Sequence, residues 1–241
     1  MGGFKESRYN QDIMPIRGWV LDLGLMGYGQ AYALQRRLHE ARLKDAVPDT
    51  LLLLEHPPVI TLGKGARAEH LLFSPEFYAQ HGVEVCPTDR GGDVTCHLPG
   101  QLVGYPIFDL RAYGRDLHHF LRQIEEGLIR LLNEYGIQAG RMPGYTGVWV
   151  GNEKIAAIGI KVARWVSMHG FALNVNNDLS LFGLIVPCGI ADRGVTSIKQ
   201  RLGKPLPMPE VKARATRQFE AVFGLALRPP ETPLESVLAA V

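Results

Sequence analysis

Residues 147–162 read GVWVGNEKIAAIGIKV. Two apolar runs, VWV and KIAAIGIKV, flank Gly151-Asn152-Glu153, and that pattern predicts a β-hairpin. Strands joined this directly are antiparallel, because a parallel pair needs a long crossover between its members. Working outward, the hairpin arms at 147–151 and 154–162 are joined by further β-type runs at 17–23, 50–55, 58–62, 83–88, 93–97, 102–109 and 168–175. Helical spacing is confined to three stretches. Ala31, Leu34, Leu38 and Ala41 share a face within 27–45, and Leu117, Phe120, Leu121, Ile124, Leu128 and Leu131 do so within 116–135. Val211, Ala215, Phe219 and Val222 follow within 208–223, where Pro209 suits a first helical turn. Strands outnumber helices and several adjoin without one, so strict βαβ alternation fails. The expected fold is α+β, a single domain with mixed, largely antiparallel sheets flanked by helices.

The 241 residues are 46% hydrophobic and 21% charged, with a net charge of +2. That balance fits an ordinary globular chain and gives no case for bulk attraction to nucleic acid or anionic lipid. Three cysteines, Cys86, Cys96 and Cys188, are an odd number lying far apart, with no CxxC or HxxxH pair. A disulfide framework and a zinc site are therefore not expected, and a reducing compartment is. The polar start MGGFKESRYNQDIMP lacks the apolar core of a secretory signal, and LLLL at 51–54 stops at Glu55-His56-Pro57. The expectation is a cytoplasmic protein without a membrane span, with residues 1–15 and 225–241 as terminal tails around one domain at 16–224.

Three stretches can carry chemistry. In RGGDVTCHLPGQLVGYPIFDL (90–110), Gly91-Gly92 lets backbone approach a ligand, Thr95 and His97 share a strand face, and Pro99-Gly100 turns the chain. The plain reading is a hairpin with a polar face; Arg90 can also clamp a carbonyl or carboxylate. No phosphate-loop pattern is present. In 147–180, Lys154 follows the hairpin turn and opens an otherwise apolar strand, where the plain reading is an edge lysine that discourages aggregation. Ala156, Ala157 and Gly159 leave room beside it, and His169 to Asn174 adds polar residues in apolar sequence. In IVPCGIADRGVTSI (185–198), Pro187 and Gly189 set Cys188 at a constrained turn. Buried filler is the default for a cysteine. A reactive thiol would need a nearby cation, and His97, His169, Lys154 and Lys161 are the candidates.

Taken in order, RGGDVTCHLPGQLVGYPI, KIAAIG, HGFALNVNNDLSLF and PCG resemble the octanoyltransferases of lipoate biosynthesis over roughly residues 17–200. The resemblance implies a fold like that of lipoate and biotin protein ligases. It implies transfer of an octanoyl group from acyl carrier protein to a lysine of lipoyl domains. Those acceptors are the acyltransferase subunits of 2-oxo acid dehydrogenases and the glycine cleavage H protein. It further implies Cys188 as the acyl-thioester nucleophile and Lys154 as the lysine that activates it, with Lys161 outside the matched pattern. Substrate-binding positions follow at Arg90, Gly91, Gly92, Asp93, Val94, Thr95, Cys96 and His97. Others are Ala157, Ile158 and Gly159, then His169, Gly170, Phe171 and Ala172. Ala157 stands where the family commonly carries serine, a departure touching packing or one hydrogen bond. No metal and no cofactor are expected, since the acyl group arrives on the phosphopantetheine of its carrier. Neither nucleic acid nor a membrane is an expected partner. Lys64, Arg67, Arg141, Arg164, Arg193 and Lys199 are candidates for a surface facing acidic partner domains. Two alternatives stay open: an ATP-dependent lipoate or biotin-type ligase, and a non-catalytic acyl-binding protein.

Overall fold

A computed structural model describes residues 15–186 and 193–239. In chain order its strands and α-helices are β1 (Ile16–Leu25), α1 (Tyr28–Leu43), β2 (Thr50–Glu55), β3 (Val59–Leu62), α2 (Pro75–Gln80), β4 (Glu84–Pro87), β5 (Val94–His97), β6 (Gln101–Ile107) and α3 (Leu117–Asn133). They continue with β7 (Gly140–Met142), β8 (Tyr145–Val150), β9 (Glu153–Ala163), β10 (Val166–Asn174), β11 (Gly194–Val195), α4 (Ile198–Leu202), α5 (Met208–Phe223), β12 (Leu225–Arg228) and α6 (Leu234–Ala239). A nine-stranded sheet runs β12-β1-β2-β6-β10-β9-β8-β7 with β11 beside β9, and a three-stranded sheet runs β4-β3-β5. The β12-β1-β2 block is parallel and β2-β6-β10-β9-β8-β7 is antiparallel throughout, the mixed, largely antiparallel arrangement expected.

The hairpin that opened the sequence forms as β8–β9: Val150 pairs with Glu153, and Gly151 takes φ +58° in the two-residue turn. The LLLL run is a central strand with both faces covered, which is why it does not alternate. Leu51 and Leu53 pack with Phe120, Leu128 and Phe219 beneath α3 and α5. Leu52 and Leu54 pack on the opposite face with Ala31 and Leu38 of α1. Each such leucine contributes about 1.5–3 kcal/mol of burial. Helix α3 starts where Asp116 accepts the backbone N–H of His119 at 3.0 Å.

Two expectations are corrected. Residues 94–107 are not a hairpin: β5 pairs with β3 in the small sheet, whereas β6 lies between β2 and β10. The reason is that β6 is buried along its whole length, QLVGYPI, and so belongs in the middle of the large sheet. Pro99-Gly100 carries the chain between sheets, with Gly100 at φ +84° and the Gln101 N–H donating to Leu98 O at 3.0 Å. The stretch after 224 is also more than a tail. Ile16 pairs with Leu225 to set β12 beside β1, and Leu238 of α6 joins the core under α1. Among the described residues, no helix is long and apolar enough to cross a membrane.

Candidate active site

A cleft of about 520 Å³ opens between β9–β10, the 90–93 loop and the lip formed by Leu117, Leu121 and Gly144–Thr146. Three backbone hydrogen bonds hold the Arg90–Asp93 loop against the rest. Lys64 N–H donates to Arg90 O at 3.0 Å, Gly65 N–H to Gly92 O at 3.0 Å, and Gly91 N–H to Ile160 O on β9 at 2.9 Å. A Cβ at Gly159 would sit 2.8 Å from Gly91 O, and one at Gly63 would sit 2.3 Å from Gly92 O, so neither position accepts a side chain without moving the loop. Arg90 does clamp carbonyls, but they are the chain's own. Its guanidinium donates to Thr61 O at 2.6 Å, Thr61 Oγ1 at 2.9 Å and Gly91 O at 3.0 Å.

Lys154 is no edge lysine: β9 has β8, β10 and β11 for neighbours, and the residue is 8% exposed. A β-bulge places it in the cleft. Trp149 pairs with Lys154 but Val148 pairs with Ala156, so Ile155 is the extra residue. Lys154 thereby lines the same wall as Ala157 and Gly159, an odd spacing that strict alternation would split between faces. Its ammonium lies 4.9 Å from the centre of the Trp149 ring, and its carbonyl accepts the Thr196 N–H at 3.0 Å. Cys188 lies outside the described residues. The chain on either side of 187–192 is fixed: Val186 N–H donates to His70 O at 3.0 Å, while Arg193 bonds Asn152 Oδ1 at 3.1 Å and stacks on Tyr145.

His97 is tied to the Lys154 end through side-chain amides. Gln101 gives its Nε2 hydrogens to Asn174 Oδ1 at 2.9 Å and Cys96 O at 3.3 Å, which turns its Oε1 to His97 Nδ1 at 2.9 Å. The proton of His97 is therefore on Nδ1. Asn174 in turn donates to Thr196 O at 3.0 Å, the residue whose N–H holds Lys154. Burial, with His56 adding to it, pushes the His97 imidazole down to about 3, so it is a neutral hydrogen-bonding group rather than a base near neutrality. Lys161 sits at the other end of β9, where its ammonium meets Asp89 at 2.6 Å, and His169 Nε2 lies 2.8 Å from the same carboxyl. Burial also holds His169 below the ordinary histidine range.

The cleft thus gathers Arg90, Gly91, Gly92, Asp93, Thr95 and His97 with Lys154, Ala157, Ile158 and Gly159, and with His169, Gly170 and Ala172. Val94 and Cys96 alternate away from it into the core of the small sheet, and Phe171 into the core under α3 and α5. Of the described cysteines, Cys86 has its thiol pushed up to about 12 by burial and by Glu84, the reverse of nucleophile activation. Sequence reasoning passed over Asp89, Gln101 and Glu125. Glu125 is buried on α3, where it accepts the Gly147 N–H at 3.1 Å and pairs with Arg122 and Arg141, fixing the cleft's lip. An acidic residue at a core position of an amphipathic helix was the signal available for it. Arg141 and Arg193 are thus engaged within the chain.

The sequence matches the lipoyl protein ligase A/B catalytic domain over residues 27–220. It is 51% identical over 211 residues to an octanoyltransferase of Caldicellulosiruptor saccharolyticus, covering 87% of this chain and 90% of that one. With an octanoyltransferase of Chloroflexus aggregans it shares 53% over 209 residues, 86% and 95% of the two chains. Among solved structures, a lipoate protein ligase of T. acidophilum with bound lipoic acid superposes with TM-score 0.71 over 93% of this chain and 94% of that one, at 16% identity. Lipoate-protein ligase A bound with ATP gives TM-score 0.70 over 94% of each, also at 16% identity. At that identity the superpositions establish the fold. The chain belongs to the lipoyl protein ligase A/B catalytic domain family. It is an acyltransferase of that family, grouping with the octanoyltransferases at about half identity over most of its length.

Proposed function

We propose that the protein moves an octanoyl group from octanoyl-acyl carrier protein to the lysine of lipoyl domains, in two thioester-linked steps through Cys188. The observation that supports it most is the buried Lys154 at a bulge of β9, bonded through its carbonyl to the strand that resumes just after the Cys188 segment. In the first step the Cys188 thiolate, favoured by the Lys154 ammonium, attacks the carrier's thioester carbonyl. A new C–S bond forms, the old one breaks, and the departing phosphopantetheine thiolate takes its proton from the Lys154 ammonium, which leaves Lys154 neutral for the second step. One thioester replaces another, so the acyl group stays activated and no cofactor of the enzyme's own is needed. In the second step the acceptor amine attacks, C–N forms, the Cys188 thiolate departs, and neutral Lys154 takes the amine's proton. His97, held neutral, orients rather than shuttles protons. The acceptors are lipoyl domains of 2-oxo acid dehydrogenase acyltransferase subunits and the glycine cleavage H protein, and the reaction belongs to the cytoplasm.

Burying the seven carbons beyond the carbonyl at about 0.8 kcal/mol each offers roughly 5–6 kcal/mol of chain binding, which the cleft's Leu117, Leu121 and Ile158 walls are suited to supply. The test is intact-mass analysis after mixing with octanoyl-carrier protein. One hydroxylamine-labile octanoyl adduct is expected, absent in Cys188→Ser. An adduct on Cys86 or Cys96, or transfer from octanoate and ATP with none from the carrier, would overturn the reading. Function left intact by Cys188→Ser would make the protein a binding module instead.

A further inference from the structure

His169 breaks the pattern of its own strand. On β10, Phe171 and Leu173 face the core beneath α3 and α5, while Met168 and Ala172 face α1. Alternation would put His169 with Phe171 and Leu173. Its backbone instead takes φ +60°, and its ring lies on the α1 side, stacked on Tyr32 at 5.5 Å between centroids. A side-chain-bearing residue keeps such a backbone only where its surroundings over-determine it. Here they do. The His169 N–H donates to Gln35 Oε1 at 2.8 Å, and Nε2 meets Asp89 Oδ1 at 2.8 Å. Asp89 is itself held by Lys161 Nζ at 2.6 Å and by the Tyr32 hydroxyl. The whole residue is 1% exposed, and its Nδ1 has no hydrogen-bond partner.

The place of this cluster along the cleft gives it a use. His169 pairs with Ile160, and Lys154 lies six residues back along β9, five ladder steps once the bulged Ile155 is discounted, or about 17 Å at ~3.3 Å per step. An eight-carbon chain of ~1.5 Å bonds in zigzag spans roughly 10 Å. A lysine reaching in from one end and an imidazole from the other take up the remainder. Between them the wall is Ala157, Gly159 and Gly170, and a Cβ on Gly159 would lie 2.8 Å from Gly91 O across the slot, so backbone fixes the width there. An open apolar slot gains with each added methylene and so favours longer chains; a limit requires a rigid end.

Resting on the octanoyl-transfer reading above, we propose that His169, locked by Asp89, is the end wall of the acyl slot and sets the chain length that the enzyme accepts. His169 is the specificity-determining residue, and Asp89 is a positioning residue that acts through the ring. A ten-carbon chain must displace an imidazole held at once by a carboxylate, a stacked phenol and its own backbone hydrogen bond.

The experiment measures kcat/KM for hexanoyl, octanoyl, decanoyl and dodecanoyl carrier thioesters with wild type, His169→Gly and Asp89→Asn, with thermal melting of each. Glycine suits φ +60°, so His169→Gly removes the ring without straining the backbone. The expected result is a decanoyl-to-octanoyl ratio raised at least tenfold in His169→Gly and severalfold in Asp89→Asn, where the ring remains but loses its lock. A folded His169→Gly that transfers octanoyl with an unchanged ratio overturns the inference, as does an equal loss for every chain length in both variants. If His169→Gly melts far below wild type, the ratio in Asp89→Asn decides alone. A wild type that transfers no chain from any carrier thioester refutes the transferase reading itself, a different failure.

Discussion

The two ends of the cleft are built on one strand, and each presents a lysine in a different setting. Lys161 is partly exposed and spends its charge on Asp89 at 2.6 Å, bracing a histidine. Lys154 is buried, lies over the Trp149 ring, and stands beside the strand that leaves the Cys188 segment. Seven residues on a regular strand would put the two on opposite faces; the bulge at Ile155 puts both on the cleft side. Position rather than residue type therefore separates a cation suited to chemistry from one that serves as a brace.

Lys154→Ala carries the largest expected effect. If Lys154 has the two roles proposed for it, favouring a thiolate and accepting a proton, its removal is expected to lower kcat/KM for octanoyl transfer by about 10³-fold, within the range for positioned acid–base groups. Lys154→Arg sharpens the point, since arginine keeps the charge but does not serve as a base. Adduct formation measured by intact mass should survive better than transfer to a lipoyl domain measured by rate. Equal losses in the two half-reactions would remove the base role and leave only the electrostatic one.

At the far end, Gly170→Ala tests how firmly backbone packing holds the strand that carries His169. The new methyl would meet Gly104 O at 2.1 Å and Pro106 Cδ at 2.6 Å inside a central strand pair that cannot part without breaking the β6–β10 ladder. A loss of about 3 kcal/mol in denaturant unfolding is expected. Gly136→Ala is the control: its φ is +72° with nothing within 4 Å of the added carbon, so only backbone strain applies, costing about 1 kcal/mol. Similar losses for the two would show that β6 and β10 yield at that point.

Much of this was legible in the chain. The three long helices announced themselves by period, nine strand segments by their β-type composition, and the cleft residues by the order of four motifs. What escaped has local causes. Strands β7 and β11 are two or three residues long, too short for any period. Leu225 and Leu227 alternate correctly for β12, but Pro229-Pro230 beside them reads as a tail signal. The shared face of Thr95 and His97 follows from alternation, and so does the turn of Val94 and Cys96 into the core of the small sheet, which a motif taken as one unbroken block conceals. Asp89 and Gln101 act through partners 80 and 73 positions away, which no spacing rule reaches. The bulge at Ile155 and the positive φ of His169 are backbone events that decide both ends of the cleft, and neither carries a glycine to mark it.

Acid is expected to weaken the fold through the histidines the cleft keeps neutral. Burial holds His39, His56, His97 and His169 below their ordinary range, His97 at about 3. The unfolded chain takes up those protons near pH 6.5, so their contribution is whole above that pH and is lost as pH falls toward the folded values. Asp89, held low by Lys161 and His169 against its own desolvation, contributes above about pH 3.9 and fails only in stronger acid. Between pH 6.5 and 4.5 the histidines therefore set the slope, at most about 1.4 kcal/mol per pH unit for each proton. His97→Asn should be less stable at pH 7 yet flatter by about one proton in unfolding free energy against pH. A slope equal to wild type would mean that His97 is reached by water in the folded state.

Lys161→Met is the smallest effect and the one most specific to the division between the two ends. The variant keeps much of the lysine's apolar length and removes its charge. Asp89 would still hold His169 Nε2 and the Tyr32 hydroxyl, and its pairing with a partly exposed lysine is worth at most about 1 kcal/mol. Octanoyl transfer is expected to stay within about threefold of wild type, with the decanoyl-to-octanoyl ratio rising less than in Asp89→Asn. Rates with the two chain lengths check both statements at once. A loss approaching that of Lys154→Ala would collapse the distinction, because the far lysine would then act on the chemistry as well as on the wall.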